Sequence, residues 1–374
     1  MRLQGACNLE MFKGTMTSPF RQALSAASPA LMRNGLLSLY FSGASALAPA
    51  AFHGIGTIFM LHRVREPDPT AFAPNRILEV TPSFLDGLLA RLKDRGIACV
   101  TLDEAVQRIA QGEKAERFAV FTLDDGYRDN LTVAAPIFTR HQVPFTVYLA
   151  TSLPDGTAEI WWVALERVIA TGHELNVRFA DGEVCFSTGS DAEKNSAWRS
   201  IYWRLRGSGE KHLRAEVKRL AAEHGIDMSG ITRELAMSWD EVRELAQNPY
   251  AHIEAHTASH IALSQLTVDE ARADVGHGLA RHEAELGKRP THFSYPYGDP
   301  SSAGPRDFEL VKEFGFRSAT TTRKGLIRPC HAQAMTALPR LSLNGDFQDL
   351  RMIDVLMSGL PFALAKAAGA SGID

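Results

Sequence analysis

The chain has 374 residues, 45% of them hydrophobic, which is enough for a large core and for either two average domains or one α/β barrel with an insertion. Its 40 Lys and Arg against 43 Asp and Glu give a formal net charge of -3, which excludes a general electrostatic nucleic-acid binder. Four cysteines, Cys7, Cys99, Cys185 and Cys330, lie far apart without a CxxC pair, so neither a zinc ribbon nor a disulfide framework is indicated.

The first 54 residues read as a leader whose apolar part, Leu36 to Phe52, packs as a helix on the domain. That part is interrupted by Ser42, Gly43, Ser45 and Pro49 and is shorter than the ~20 residues of a spanning helix. Ala46-Leu47-Ala48 resembles a small-residue cleavage site, but it lies farther along the chain than the first ~15–30 residues of a usual secretory signal. The expected location is cytoplasmic, with peripheral membrane contact through the N-terminal segment; export is the alternative.

From residue 55 the pattern alternates. Thr57 to Leu61 predicts a buried strand, and Thr81-Pro82 opens a helix that Gly96 stops. Ile97 to Val100 predicts a strand, and the capping box at Thr101 starts a helix through Ile109. Strand Phe118 to Leu123, helix Asn130 to Arg140 and strand Pro144 to Ala150 follow. The alternation then breaks over 153–235, an α-rich insertion with a hairpin around Asp181-Gly182 and a basic helical stretch from Lys194 to Leu220. Its Trp161, Trp162, Trp198, Tyr202 and Trp203 suit either a sugar-stacking cleft or subdomain packing.

After the capping box at Ser238 come a strand near Tyr250 to Glu254, a helix from Val268 to Leu286 and a strand from Thr291 to Tyr295. A helix around Phe308 to Phe314, strand Phe316 to Thr320, apolar segment Leu338 to Leu343 and a terminal helix from near Phe347 complete the chain. The expected fold is a distorted parallel (β/α) barrel of about seven strands over 55–345, with 346–374 as a C-terminal helix and tail.

The reactive residues fall at predicted strand ends. His62, Asp124 with Asp125, His256 and Tyr297 each sit where a parallel barrel builds its active site. Asp124 and Asp125 leave a strand in opposite directions, so they serve one site only if the chain turns, which Gly126 permits. His256 and His260 form an HxxxH pair, whose spacing places two imidazoles on one face of a helical turn and suits a divalent cation. No Glu follows the first His, which argues against a zincin protease. Two histidines plus one carboxylate leave coordination open for water, as a hydrolytic site requires.

Thr122-Leu123-Asp124-Asp125-Gly126, His256 to His260 and Pro296-Tyr297-Gly298 together resemble the three signatures of the polysaccharide deacetylases, carbohydrate esterase family 4, which share the NodB homology domain. The resemblance implies Asp124 as general base, with Asp125, His256 and His260 holding a divalent metal, expected to be zinc. It implies the Tyr297 backbone N–H as an oxyanion donor. Two departures stand out: Ser294 occupies the position of the family's usual Arg, and the late L-x-H motif is absent, His331 lying in a Pro-Cys-His context. Met60-Leu61-His62-Arg63-Val64 resembles the N-terminal element of a permuted subgroup, which implies His62 as the acid. Arg340 is the candidate for the missing cation, and Trp161, Trp162, Pro296, Gly298 and Arg340 are the candidates on the substrate side.

The expected function is metal-dependent hydrolysis of N-acetyl groups on an amino-sugar oligo- or polysaccharide, chitooligosaccharide-like or a lipid-linked envelope glycan. A non-catalytic glycan-binding module on the same fold is the alternative, favoured by the departure at Ser294. A phosphoesterase is disfavoured, since nothing here resembles a phosphate loop.

Overall fold

The computed structural model describes residues 29–369 except 69, 71 and 113–115, so residues 1–28 of the leader and the last five of the tail lie outside it. Seven parallel strands close into a ring: β1 (Gly56–Leu61), β5 (Phe118–Asp125), β6 (Phe145–Leu149), β9 (Ala251–Ala255), β10 (His292–Ser294), β11 (Ser318–Lys324) and β12 (Leu338–Ser342). The ring runs β1-β12-β11-β10-β9-β6-β5, and β5 closes it on β1 from Gly56 opposite Phe118 to Leu61 opposite Leu123. The short β4 (Ala98–Cys99) pairs with the start of β5, on Phe118 and Ala119, before β6 takes over that edge at Phe121. Two small pairs lie outside the ring: β2 (Arg63–Val64) with β3 (Glu79–Val80), and the antiparallel hairpin β7 (Glu174–Phe179) and β8 (Gly182–Ser187).

Alternation along β5 sorts its side chains. Phe118 and Val120 join Ile58, Tyr148 and Leu338 in one apolar cluster, while Ala119, Phe121 and Leu123 join Phe59, Leu61, Phe145, Val147 and Leu149 in another. The second cluster is covered by helices Pro82–Asp94, Ala135–His141, Trp239–Leu245 and Leu350–Met357, which contribute Leu85, Phe138, Val242 and Ile353. Burial on both faces explains why β5 reads as a continuous apolar run. Thr122 and Asp124 follow the even-numbered residues, so alternation aims Asp124 at the cluster of Tyr148.

Three local expectations are corrected. The basic stretch Lys194 to Leu220 is two helices, Asp191–Gly207 and Glu210–Glu223, because Gly209 breaks the chain with φ 90. The predicted helix at Asn130 opens with a π turn, Asn130–Ala134, and the terminal helix starts at Leu350, N-capped by Asp349. The insertion builds its own core, in which Trp161, Leu165, Ile201, Leu213, Val217 and Ile231 are buried together with Tyr127 of the barrel. Helix Pro29–Phe41 lies against Leu350–Met357 and leaves Leu31 and Phe41 exposed. Among the described residues no helix is long and apolar enough to cross a membrane.

Candidate active site

The two aspartates are divided by a turn that begins one residue earlier than expected. Asp125 itself adopts φ 75, and Gly126 continues with φ 85, so Asp125 leaves the alternation that would bury it among the helices. Gly126 cannot be replaced without strain, since an added Cβ would meet Leu149 Cδ1 at 2.4 Å. Thr257, His260 and Tyr297 also hold positive φ, so among the described residues four of the five non-glycine residues in that region line this one end of the barrel.

The HxxxH pair is not on a helix. His256 to His260 form a loop after β9 in which Thr257 (φ 63) and His260 (φ 53) are left-handed, and Thr257 Oγ1 accepts from the His260 amide at 3.1 Å. The rings still converge, with centroids 5.1 Å apart. His260 Nε2 lies 3.0 Å and His256 Nε2 3.4 Å from Asp125 Oδ1, and all three side chains are buried.

His256 Nδ1 lies 2.7 Å from the carbonyl oxygen of Ser294, which can only accept, so Nδ1 carries the proton and Nε2 keeps its lone pair. Burial pushes the His260 imidazole below its ordinary value against the opposing charge of Asp125, which favours the neutral ring a cation needs. Burial would push the Asp125 carboxyl up, but His260 and His256 beside it hold it well below the carboxylate range. Asp125 Oδ1 is buried without a hydrogen-bond partner. A buried, unpartnered carboxylate oxygen facing two imidazole Nε2 atoms fits a divalent cation by the chemistry of its donors. Changing both His256→Ala and His260→Ala is expected to abolish the metal content of purified protein; stoichiometric metal in the double variant would show that the ion is held elsewhere.

Asp124 is fixed by Arg340. The guanidinium donates from Nη1 to Asp124 Oδ1 at 2.7 Å and from Nη2 to Oδ2 at 2.6 Å. It also donates to Thr122 Oγ1 at 3.0 Å, Ser294 Oγ at 3.0 Å and the Thr321 carbonyl at 2.9 Å. All five donors of a fully buried arginine are satisfied. Burial would raise the Asp124 carboxyl, and Arg340 more than offsets this, holding it below the ordinary value. Ser294, at the position of the family's usual Arg, is an acceptor for the cation that arrives from β12.

Tyr297 presents its backbone to the same end. Its carbonyl accepts from Thr322 Oγ1 at 2.7 Å, while its amide makes no hydrogen bond among the described residues. Gly298 permits this turn, since a Cβ there would meet the Thr322 amide at 2.8 Å with φ already 59. The insertion braces the arrangement. Trp161 Nε1 donates to the Tyr297 hydroxyl at 2.9 Å, and the Arg206 guanidinium lies 3.5 Å over the Tyr297 ring. Arg214 donates to the carbonyls of Ser259 and His260 at 3.1 and 3.2 Å, so the helix Glu210–Glu223 clamps the histidine loop. Glu210 ion-pairs with both arginines.

A cavity of about 510 Å³ opens above these groups. His62, Asp124, Asp125, His256, His260 and Tyr297 line its floor, and of the substrate-side candidates Trp162 lines it too. Trp161 stands behind Tyr297, Pro296 and Gly298 are buried in the turn, and Arg340 is beneath Asp124; none of the four reaches the cavity surface. Two parts of the wall went unread in the sequence: the segment 73–78, and Asn195 and Arg199 of the helix Asp191–Gly207, which stand beside the Trp198, Tyr202 and Trp203 already singled out for a stacking cleft. The spacing i, i+3, i+4, i+7, i+8 of those five was the available signal. His282 and His292 lie away from the cavity, both pushed down to about 4 by burial, and His331 Nδ1 accepts from the Arg328 amide at 2.9 Å.

This fold and site define a parallel (β/α) barrel with a candidate metal triad at the C-terminal ends of its strands. The profile of the polysaccharide deacetylases matches residues 111–178 and 185–319, more than half of the chain, and the chain belongs to that family. Among solved structures it is similar to the Streptococcus pyogenes deacetylase PplD in complex with acetate (TM-score 0.54, 15% identity, 80% of this chain and 97% of that one). It is also similar to IcaB from Ammonifex degensii (TM-score 0.51, 16% identity, 82% and 97%). A third is the de-N-acetylase from Aggregatibacter actinomycetemcomitans (TM-score 0.51, 14% identity, 80% and 99%). At these identities the likeness is one of fold, and no curated protein matches.

Proposed function

We propose that the protein hydrolyses N-acetyl groups of an amino-sugar glycan with the help of a divalent cation, expected to be zinc, held by Asp125, His256 and His260. The observation that carries this reading is the pairing of Asp124 with Arg340 directly beside that triad, at the floor of an aromatic-walled cavity. When bound, the cation supplies a Lewis acid that polarises the acetyl carbonyl and acidifies water. Asp124, kept ionised by Arg340, accepts the water proton through the lone pairs that Arg340 leaves unused. The Tyr297 amide donates to the oxyanion as the water oxygen adds to the carbonyl carbon. His62 protonates the departing amine as the carbon–nitrogen bond breaks, leaving acetate and the free amino sugar.

A binding module without catalysis loses its main support, because the cation missing at Ser294 is supplied from Arg340. That a Streptococcus pyogenes neighbour is described as a deacetylase in complex with acetate agrees with the reading. Exposed Leu31, Phe41 and Leu47 support keeping peripheral membrane contact through the N-terminal segment within this proposal. Purified protein supplied with a divalent cation is expected to release acetate from at least one member of a panel of N-acetylated chitooligosaccharides and lipid-linked amino sugars. Release from none of them, nor from O-acetylated controls, sinks the proposal.

A further inference from the structure

The cavity mouth carries two arginines that no carboxylate among the described residues neutralises. Arg76, from the segment 73–78, and Arg199, from the helix Asp191–Gly207, both line the cavity and are both exposed. Neither has a carboxylate partner among the described residues. Their neighbours differ: Arg204 and Arg206 on the same helix pair with Asp181 and Glu210, and Arg63 and Arg65, near the other wall, pair with Glu79. A long, flexible cation left unpaired beside paired ones is available to a ligand.

The surrounding charge favours an anion at this height. On the floor, Asp124 is already matched by Arg340, and Asp125 belongs to the metal triad. Above the floor Asp346 is the one carboxylate among the described lining residues, against two guanidinium groups. The exposed Trp203 (69%) and Ile77 (49%) line the same cavity. Arg199 and Trp203 are four residues apart on one helix and line the same cavity, so the guanidinium and the indole share one helix face.

We propose that Arg76 and Arg199 bind an anionic group, phosphate or carboxylate, carried by the N-acetylated sugar or by the residue next to it, while Trp203 packs on the adjoining sugar face. The preferred substrate is then an anionic amino-sugar glycan rather than a neutral homopolymer. Guanidinium offers a two-pronged donor to either oxyanion, and the concave wall limits screening. The inference rests on the deacetylase reading for what happens at the floor, but its test does not.

Binding is measured by tryptophan fluorescence on the full-length chain stripped of metal by a chelator. Stripping prevents turnover and removes the metal as a competing phosphate site. The probes are N-acetylglucosamine 1-phosphate, N-acetylmuramic acid and neutral N,N'-diacetylchitobiose. At least one anionic probe is expected to bind about tenfold tighter than the neutral one, with the advantage shrinking as salt rises. In the Arg76→Gln/Arg199→Gln double variant the anionic and neutral probes are expected to bind equally, and Arg76→Lys/Arg199→Lys to recover part of the difference. The phosphate and carboxylate arms show which oxyanion is read. Equal affinities in the unaltered chain, a preference that survives the Gln variant, or no binding of either anionic probe at millimolar concentration overturns the proposal. If the preference is found but metal-loaded protein releases no acetate, the deacetylase reading fails and the anion site stands.

Discussion

Asp124→Asn is expected to lower kcat for acetate release by roughly 10²–10⁴-fold, the usual contribution of a positioned general base. The amide cannot accept the water proton, yet it fills the same space at the end of β5. KM and metal content are expected to change little, because Asp125, His256 and His260 hold the cation without Asp124. The variant also turns an N–H₂ group or a single oxygen towards Arg340, which then lacks one of its five acceptors, so a lower thermal midpoint is expected as well. Metal content and near-ultraviolet circular dichroism therefore accompany the kinetics. If a folded, metal-containing Asn variant keeps more than about a tenth of the activity, Asp124 is not the base.

Much of this site was legible because its parts are local. Apolar runs at β1, β5 and β6, the capping box at Ser238, the N-cap at Thr101, and reactive residues at strand ends are short-range signals, and the structure places them close to where the pattern put them. The histidine loop shows the limit of spacing. Four-residue separation brings His256 and His260 together on a helix, but a loop with left-handed Thr257 and His260 does so equally, and the backbone angles carry no periodic trace. Gly209 likewise splits the basic stretch, and there the signal was present: Gly207-Ser208-Gly209 marks a break that helical spacing on either side obscured.

Arg340 was harder still, since 216 positions separate it from Asp124 and only ring closure brings β12 between β11 and β1. The basic part of the cavity wall was missed for a related reason. Arg76 and Arg199 belong to no motif, and each acquires meaning only from the element it faces.

Removing the cation is expected to be costlier to the molecule than removing the base. Arg340→Ser leaves a buried carboxylate unpaired and strips partners from Thr122, Ser294 and the Thr321 carbonyl, so a loss of about 3–5 kcal/mol of stability is expected from denaturant unfolding. The pH dependence should change sign. In the native protein the Asp124 carboxyl is held below its ordinary value, so its contribution is present above the unfolded value of ~3.9 and is lost as pH falls through the folded value. Without Arg340, burial is opposed only by the smaller influence of His256 and His62, and the folded value is expected to rise above the unfolded one. The variant's contribution from Asp124 is then greatest in acid and declines as pH rises, and the acid limb of its rate profile moves to higher pH.

Ser294 provides the decisive control, because its side chain already touches the Arg340 guanidinium at 3.0 Å. Arg340→Ser combined with Ser294→Arg restores a cation from β10 in place of β12. The double variant is expected to regain stability and rate relative to Arg340→Ser alone, with its acid limb returning to lower pH. Recovery of stability without return of that limb would make Arg340 a core-packing residue and leave Asp124's ionisation to another group. If the acid limb in Arg340→Ser does not move at all, the pairing does not set the protonation state of Asp124.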